Sequence, residues 1–183
     1  MNLPCKLAFC IAVATLPVAT GALACGDKLS VIGGGVSFDR VSQHRGSVVM
    51  LVEPDSPLRA ANEALKLRQA LEYAGNKVRT VDSAAGLEQA VQQGKVDVVL
   101  VSWGEAGLWQ ATLAERAGAP TVLPVAYRAD PAELTLASRD GTCFARVEHR
   151  ADKRLVRAVG RVMEQRQKKQ PLDCRNPVVT TST

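Results

Sequence analysis

The sequence holds few of the residues from which catalytic or metal centres are built. Its 183 residues include two histidines, His44 and His149, which lie in separate segments with no ligand spacing around them. No zinc-type cluster and no Ser-His-Asp or Cys-His arrangement can be read from such a pattern, and both histidines are expected at the surface. Phosphate-cradling motifs are missing as well. Gly33-Gly34-Gly35 lacks the G-x-G-x-x-G spacing, the Lys-Ser/Thr of a P-loop and a following helix. It reads as a turn after a short strand at Leu29–Ile32. Beyond residue 24 no run approaches the roughly 20 apolar residues of a membrane-spanning helix. The formal net charge of +5 is also far from the basic field of a nucleic-acid binder. No motif implies a cofactor or a resident metal, and the chain is not expected to be an enzyme.

What is present begins with an address. Residues 1–24, MNLPCKLAFCIAVATLPVATGALA, place Lys6 before an apolar stretch, follow it with Pro17, and end in Ala22-Leu23-Ala24. A cationic start, an apolar middle and a small-x-small end in that order are expected of a cleaved signal peptide. The exported chain would begin at Cys25, in the periplasm or outside the cell. Cys25 is either a lipidation site that anchors the protein to a membrane or simply the first residue left by ordinary cleavage. Ala22 stands where lipoprotein signals usually carry a large aliphatic residue, and both readings remain open.

Export also changes the meaning of the cysteines. Cys5 and Cys10 leave with the signal, and Cys25, Cys143 and Cys174 remain, an odd number in an oxidising compartment. Cys143, in an apolar segment, and Cys174, in a polar tail, form the expected pair. Closing a loop of that length contributes on the order of 3–4 kcal/mol in the chain-entropy model.

After an N-terminal extension at residues 25–47, residues 48–169 alternate between two patterns. Val48–Val52 is a short continuous apolar run and reads as a strand, as do Lys77–Val81, Val96–Val101, Thr121–Ala126 and Cys143–Val147, with Pro124 expected near the end of its strand. Between them lie helical stripes. Ser56-Pro57 supplies a cap and a first-turn proline for a helix carrying Leu58, Ala61, Ala64, Leu65 and Leu71, closed by Gly75. Ser83 opens a second helix that ends at Gly94, Leu108–Ala117 forms a third, and Asp152 to Lys168 forms the last. Residues 127–142 are less regular and hold at most one short helix. Residues 170–183 make a polar tail. Strand–helix alternation with short links predicts an α/β fold: a five-stranded parallel sheet in the flavodoxin-like order 2-1-3-4-5, with helices on both faces.

The segments VVMLVEPDSPLR at 48–59, LEYAGNKVRTVDSAAGLEQAV at 71–91 and VDVVLVSW at 96–103 give the chain a further likeness. From Ser47 to about Gln165 it resembles the receiver domain of bacterial response regulators. That resemblance implies phosphoryl transfer to an aspartate ending the third strand. It also implies an acidic pair at the first strand that holds magnesium, a Thr or Ser ending the fourth strand and a Lys ending the fifth. Here the acceptor position falls on Ser102. The acidic pair falls on Glu53-Pro54, with Asp55 displaced, and the other two positions fall near Val125 and near Glu148, with Arg146 close by. The resemblance is therefore to a degenerate receiver that is not phosphorylatable, and export away from the ATP pool points the same way.

Glu53, Asp55, Ser102 and Trp103 make up the candidate pocket, at the carboxyl edge of the sheet where ligands of such folds bind. Glu53, Asp55 and Ser102 offer too few oxygens for a hard cation, and a polar loop is the simpler reading. Trp103 either lines that pocket, contacts a partner or packs. Lys153, Arg157 and Arg161, with Arg154 beside them, form a basic stripe on the last helix that is either a solvated face or a docking surface for an unknown acidic partner. Two functions are compatible with this pattern: a pseudo-receiver of the cell envelope acting through protein contact, or a small-ligand-binding periplasmic protein auxiliary to a transport system. The address itself is testable. Intact mass of the exported protein is expected to correspond to a chain starting at Cys25 and lighter by the two hydrogens of one disulfide; a mass that includes residues 1–24 would refute the signal reading.

Overall fold

A computed structural model describes residues 44–116, 118–148, 152–172 and 174. The expected signal peptide, Cys25, the strand at Leu29–Ile32 with its triglycine turn, His149 and the end of the polar tail lie outside the described residues. Five strands form one sheet in the order β2-β1-β3-β4-β5, and every neighbouring pair is parallel. In chain order they are β1 (Ser47–Leu51), β2 (Lys77–Val81), β3 (Val98–Ser102), β4 (Thr121–Tyr127) and β5 (Ala145–Val147). The expected α/β architecture and its flavodoxin-like strand order are those observed.

The apolar runs explain which strands are central. All five residues of β3 are buried, as are Val48 to Leu51 of β1 and Val122 to Ala126 of β4. β2 sits at an edge and alternates exposed with covered residues. Two cores result, one on each face of the sheet. Val48, Met50, Val98, Leu100, Leu123 and Val125 pack under α1 (Pro57–Leu65), α2 (Leu67–Tyr73) and α6 (Asp152–Gln167). Val49, Leu51, Val99 and Val101 pack on the other face under α3 (Ala84–Gln93) and α4 (Ala106–Ala114). α5 (Pro131–Arg139) occupies the less regular stretch, opened by Asp130, whose side chain accepts from the Ala132 N–H at 2.8 Å.

The long helix expected from Ser56 to Gly75 is instead two helices, broken at Lys66 with φ 52°. The reason is phase. Nine residues at about 100° each would set Leu67 roughly half a turn away from Leu58 in an unbroken helix. The break turns Leu67 and Leu71 inward beside Leu58 and Ala61, and leaves Ala64 exposed. The Asn62 side chain accepts from the Arg68 N–H at 2.9 Å across the break. Ser56 caps α1 as expected, accepting from the Arg59 N–H at 3.2 Å, and Gly75 follows α2 with φ 88°, the left-handed region that glycine tolerates best.

Pro124 lies mid-strand rather than near the end. β5 pairs with β4 only from Val125 onward, so at Pro124 one side of β4 is still an edge and a missing N–H breaks no ladder there. For the same reason β5 starts at Ala145, and Cys143 and Phe144 precede it. The Cys143–Cys174 disulfide is formed, and it fastens the chain after α6 to the start of β5.

Side chains tie down the opposite, amino edge of the sheet. Asp97 Oδ2 accepts from the Ser47 N–H at 2.9 Å. Buried Asn76 accepts from the Gly46 N–H at 3.2 Å and donates through Nδ2 to the Leu71 carbonyl at 3.2 Å, so it joins α2 to the entry of β1. Arg166 on α6 donates to the Ala119 carbonyl at 2.7 Å and to Thr121 Oγ1 at 3.2 Å. Asn76→Ala leaves the Gly46 donor and the Leu71 acceptor without their side-chain partner. It is expected to cost about 2 kcal/mol of unfolding free energy with an unchanged m-value in a urea titration.

Candidate functional site

The carboxyl edge gathers its polar groups from two chain segments. β1 ends in the turn Glu53–Ser56, closed by the Ser56 N–H donating to the Glu53 carbonyl at 3.2 Å. Within it Glu53 is half-buried, whereas Asp55 is exposed and held at φ 63°, a conformation that aspartate accepts more readily than most residues. β3 runs directly into a 3-10 turn at Trp103–Glu105 and then into α4.

Alternation along β3 puts Ser102 on the same face as Val98 and Leu100, under α1. It is 3% exposed, and its Oγ is enclosed without a hydrogen-bond partner. The sequence Ser102-Trp103-Gly104-Glu105 has the S-x-x-E form of a capping box, in which each end residue serves the other's backbone N–H. Here only half of it forms. The Ser102 N–H lies near enough to the Glu105 carboxyl to favour its ionised form, but the Ser102 hydroxyl makes no cap bond. Pairing of Ser102 with Val125 in the sheet holds the residue extended, which turns its hydroxyl inward.

Glu105 is the group that sequence reasoning missed, and the unread S-x-x-E after the third strand was the available signal. Its carboxyl meets that of Glu53. Burial, then the Glu53 charge, then the hydrogen bond to Glu53 push the Glu105 pKa above the ordinary glutamate value, against a smaller opposing effect of the Ser102 N–H. Two ionised carboxylates are acceptors only, so this hydrogen bond exists when one proton is shared between them. In the ionised state Glu105 Oε2 is enclosed with no donor in reach. The pairing at this edge is therefore Glu53 with Glu105.

Trp103 is half-buried and packs edge-on against Phe144, ring centroids 5.1 Å apart at 65°. Phe144 adjoins the disulfide at Cys143, so Trp103 serves packing between the β3 exit and the β5 entry. The other receiver-aligned positions carry no matching chemistry: Val125 is fully buried, and Glu148 accepts from Arg146 Nε at 2.6 Å. Among the described residues no group of three or more His, Cys, Asp or Glu could hold a metal ion. On α6, Lys153 and Arg154 are half-buried while Arg157 and Arg161 are exposed, beside the inward Leu155, Val159, Val162 and Met163. No family model matches the chain, and no curated protein or solved structure does either.

The raised pKa has a definite sign in stability. Between the ordinary glutamate pKa and the raised folded value, the folded state binds more protons than the unfolded one, so stability falls as pH rises through that window. Glu105→Gln keeps an acceptor for the Ser102 N–H and supplies a permanent donor to Glu53. Its melting temperature is expected to exceed that of the parent at pH 7.5, with the advantage shrinking towards pH 4. An equal difference at both pH values would show that no proton is shared.

Proposed function

We propose that this chain is a non-enzymatic, receiver-like module of the bacterial cell envelope that acts through protein contact and is not phosphorylated. The observation that carries the reading is at residue 102. In a flavodoxin-like sheet, the strand end at which a receiver presents its acceptor aspartate carries here a serine whose oxygen is sealed from solvent. A buried hydroxyl without a carboxylate cannot take a phosphoryl group by that chemistry. The disulfide is compatible with an oxidising compartment, which supports export to the periplasm or beyond. For contact, α4 and α5 expose Leu108 at 67% and Leu136 at 59%, and α6 exposes Arg157 and Arg161.

The second reading, a small-ligand binder auxiliary to a transport system, is favoured by one observation. Ser102 Oγ and Glu105 Oε2 are both enclosed without hydrogen-bond partners, in residues at the edge where such folds receive ligands.

Two measurements test the primary reading. Incubation with acetyl phosphate and magnesium is expected to leave the intact mass unchanged; a phosphoryl adduct would contradict it. A photo-crosslinking side chain at position 157, introduced in cells, is expected to give a discrete envelope-protein adduct that Lys153→Glu weakens several-fold. The same group at exposed position 89 on α3 is expected to give none, and identical patterns at both positions would sink the idea.

A further inference from the structure

We propose that the amino edge of the sheet docks on an anionic phospholipid surface, with the cations at the strand entries and the ring of Tyr73 meeting the headgroups. The inference rests on the cell-envelope reading above, and it names the surface against which the protein lies there.

Hydrogen bonds fix how closely these groups are gathered. The Lys77 N–H donates to the Gly46 carbonyl and the Asp97 N–H to the Ser47 carbonyl, both at 2.9 Å, so the entries of β2, β1 and β3 lie side by side. Neighbouring strands stand about 4.8 Å apart, which sets Lys77, Arg45 and Lys95 along one narrow front. Arg45 lies across the turn that feeds β2: a Cβ added to Gly75 would come within 2.8 Å of its Nε. All three side chains are exposed. Exposed Lys169, just after α6, joins them, since Arg166 at the same helix end bonds to the Ala119 carbonyl before the start of β4. The acids nearby are committed or balanced. Asp97 accepts from the Ser47 N–H, Glu72 pairs with Arg68, Glu164 pairs with Lys168, and Glu115 adjoins Arg116. The opposite edge has the reverse sign. Glu53, Asp55, Asp82, Glu105 and Asp130 follow β1 to β4, against Arg128 alone in those links.

Two further observations select a membrane over a soluble acidic partner. Tyr73 ends α2 at this edge, two residues before Gly75, and is 70% exposed, more than Leu108 or Leu136. An aromatic ring with a polar tip, set among cations, suits the membrane interface, where the ring enters the headgroup layer and the hydroxyl stays wet. The second observation is where the chain comes from. Residues 25–43 lead from Cys25 to His44, and His44 enters the fold at this edge, its Nδ1 2.6 Å from Gln167 Oε1 beside the end of α6. An anchor at Cys25 therefore draws the fold in by its basic edge and leaves the acidic edge facing away. A single acyl chain binds a membrane only marginally, and a basic patch is the second signal that makes such binding stable. Attraction between these cations and anionic headgroups acts within a Debye length, so it requires this edge to face the bilayer.

The exported protein is sedimented with vesicles of phosphatidylcholine alone and with vesicles containing one-third phosphatidylglycerol, at low and at high salt. Binding to the anionic vesicles at low salt is expected to be at least roughly tenfold stronger, and high salt is expected to remove the difference. The double variant Lys77→Gln with Lys95→Gln is expected to bind the anionic vesicles roughly twentyfold more weakly, about fivefold for each charge lost. Arg45→Gln with Tyr73→Ala, on other segments, is expected to weaken binding as well and serves as the test where the first pair fails to fold. Lys153→Gln with Arg157→Gln removes the same charge from the other end of α6 and is expected to leave binding within about twofold, because that end lies beyond a Debye length from the bilayer. A photo-crosslinking side chain at exposed position 92, where α3 ends at the amino edge, is expected to capture lipid; the same group at exposed position 85, where α3 begins, is expected to capture none. The proposal is overturned by equal binding to both kinds of vesicle, by no binding to either, by equal losses in the two lysine-containing charge pairs, or by equal lipid capture at positions 85 and 92. Tighter binding per charge to polyglutamate than to the anionic vesicles would also overturn it and assign the edge to an acidic protein. Intact mass and crosslinking at position 157 report on the envelope reading separately, since vesicle binding requires neither export nor a protein partner.

Discussion

The structure depends on the burial of β3. Its five residues are covered completely, with Val98 and Leu100 in one core and Val99 and Val101 in the other. A strand covered on both faces forces its neighbours to be apolar, and β1 and β4, which flank it, are the most continuously buried of the rest. Each such aliphatic side chain contributes about 1.5–3 kcal/mol relative to exposure, so the middle of the sheet is the major source of stability in the described residues. The helices are arranged to complete this burial. α1 and α2 are broken at Lys66 because only the break lets Leu58 and Leu67 face the same core.

The same constraint produces the candidate site. β3 carries its burial through to its last residue, so the hydroxyl of Ser102 is taken into the interior along with the valines before it. The chain then turns at once into α4, and Glu105 folds back onto the Ser102 N–H. A local capping motif and a central strand compete for one residue, and the strand keeps it. The capping box stays half-made, and its unused atoms are left at the edge of the sheet, next to the one acidic side chain that leaves β1 half-buried. Site and fold are thus linked through a single position, and the proposals for this edge follow from what that position cannot satisfy by itself.

Much of the fold was legible in the residues. VVMLV at 48–52, VVLV at 98–101 and VLPVA at 122–126 are apolar without a break, as a strand covered on two faces requires, and Ser56-Pro57 and Gly75 mark where helical chain begins and ends. The errors share a physical origin. The break at Lys66 depends on where the second half of the helix must point, which periodicity within one segment does not state. The tolerance for Pro124 depends on how far β5 extends alongside β4. Of the expected pocket residues, Glu53 and Ser102 come together, Asp55 stays exposed in its turn, and Trp103 is committed to Phe144. Glu105 lay in view as the last letter of S-x-x-E, yet that motif alone describes a helix start; its meeting with Glu53 is a contact across strands.

The sequence by itself determined the α/β class, the parallel strand order and the Cys143–Cys174 pair, because burial patterns, cap residues and cysteine placement are properties of segments. Only the tertiary structure decided which acids meet. Glu53 and Glu105 stand about fifty residues apart in the chain, and they meet because β1 and β3 are neighbours in the sheet and both release their chains at its carboxyl edge.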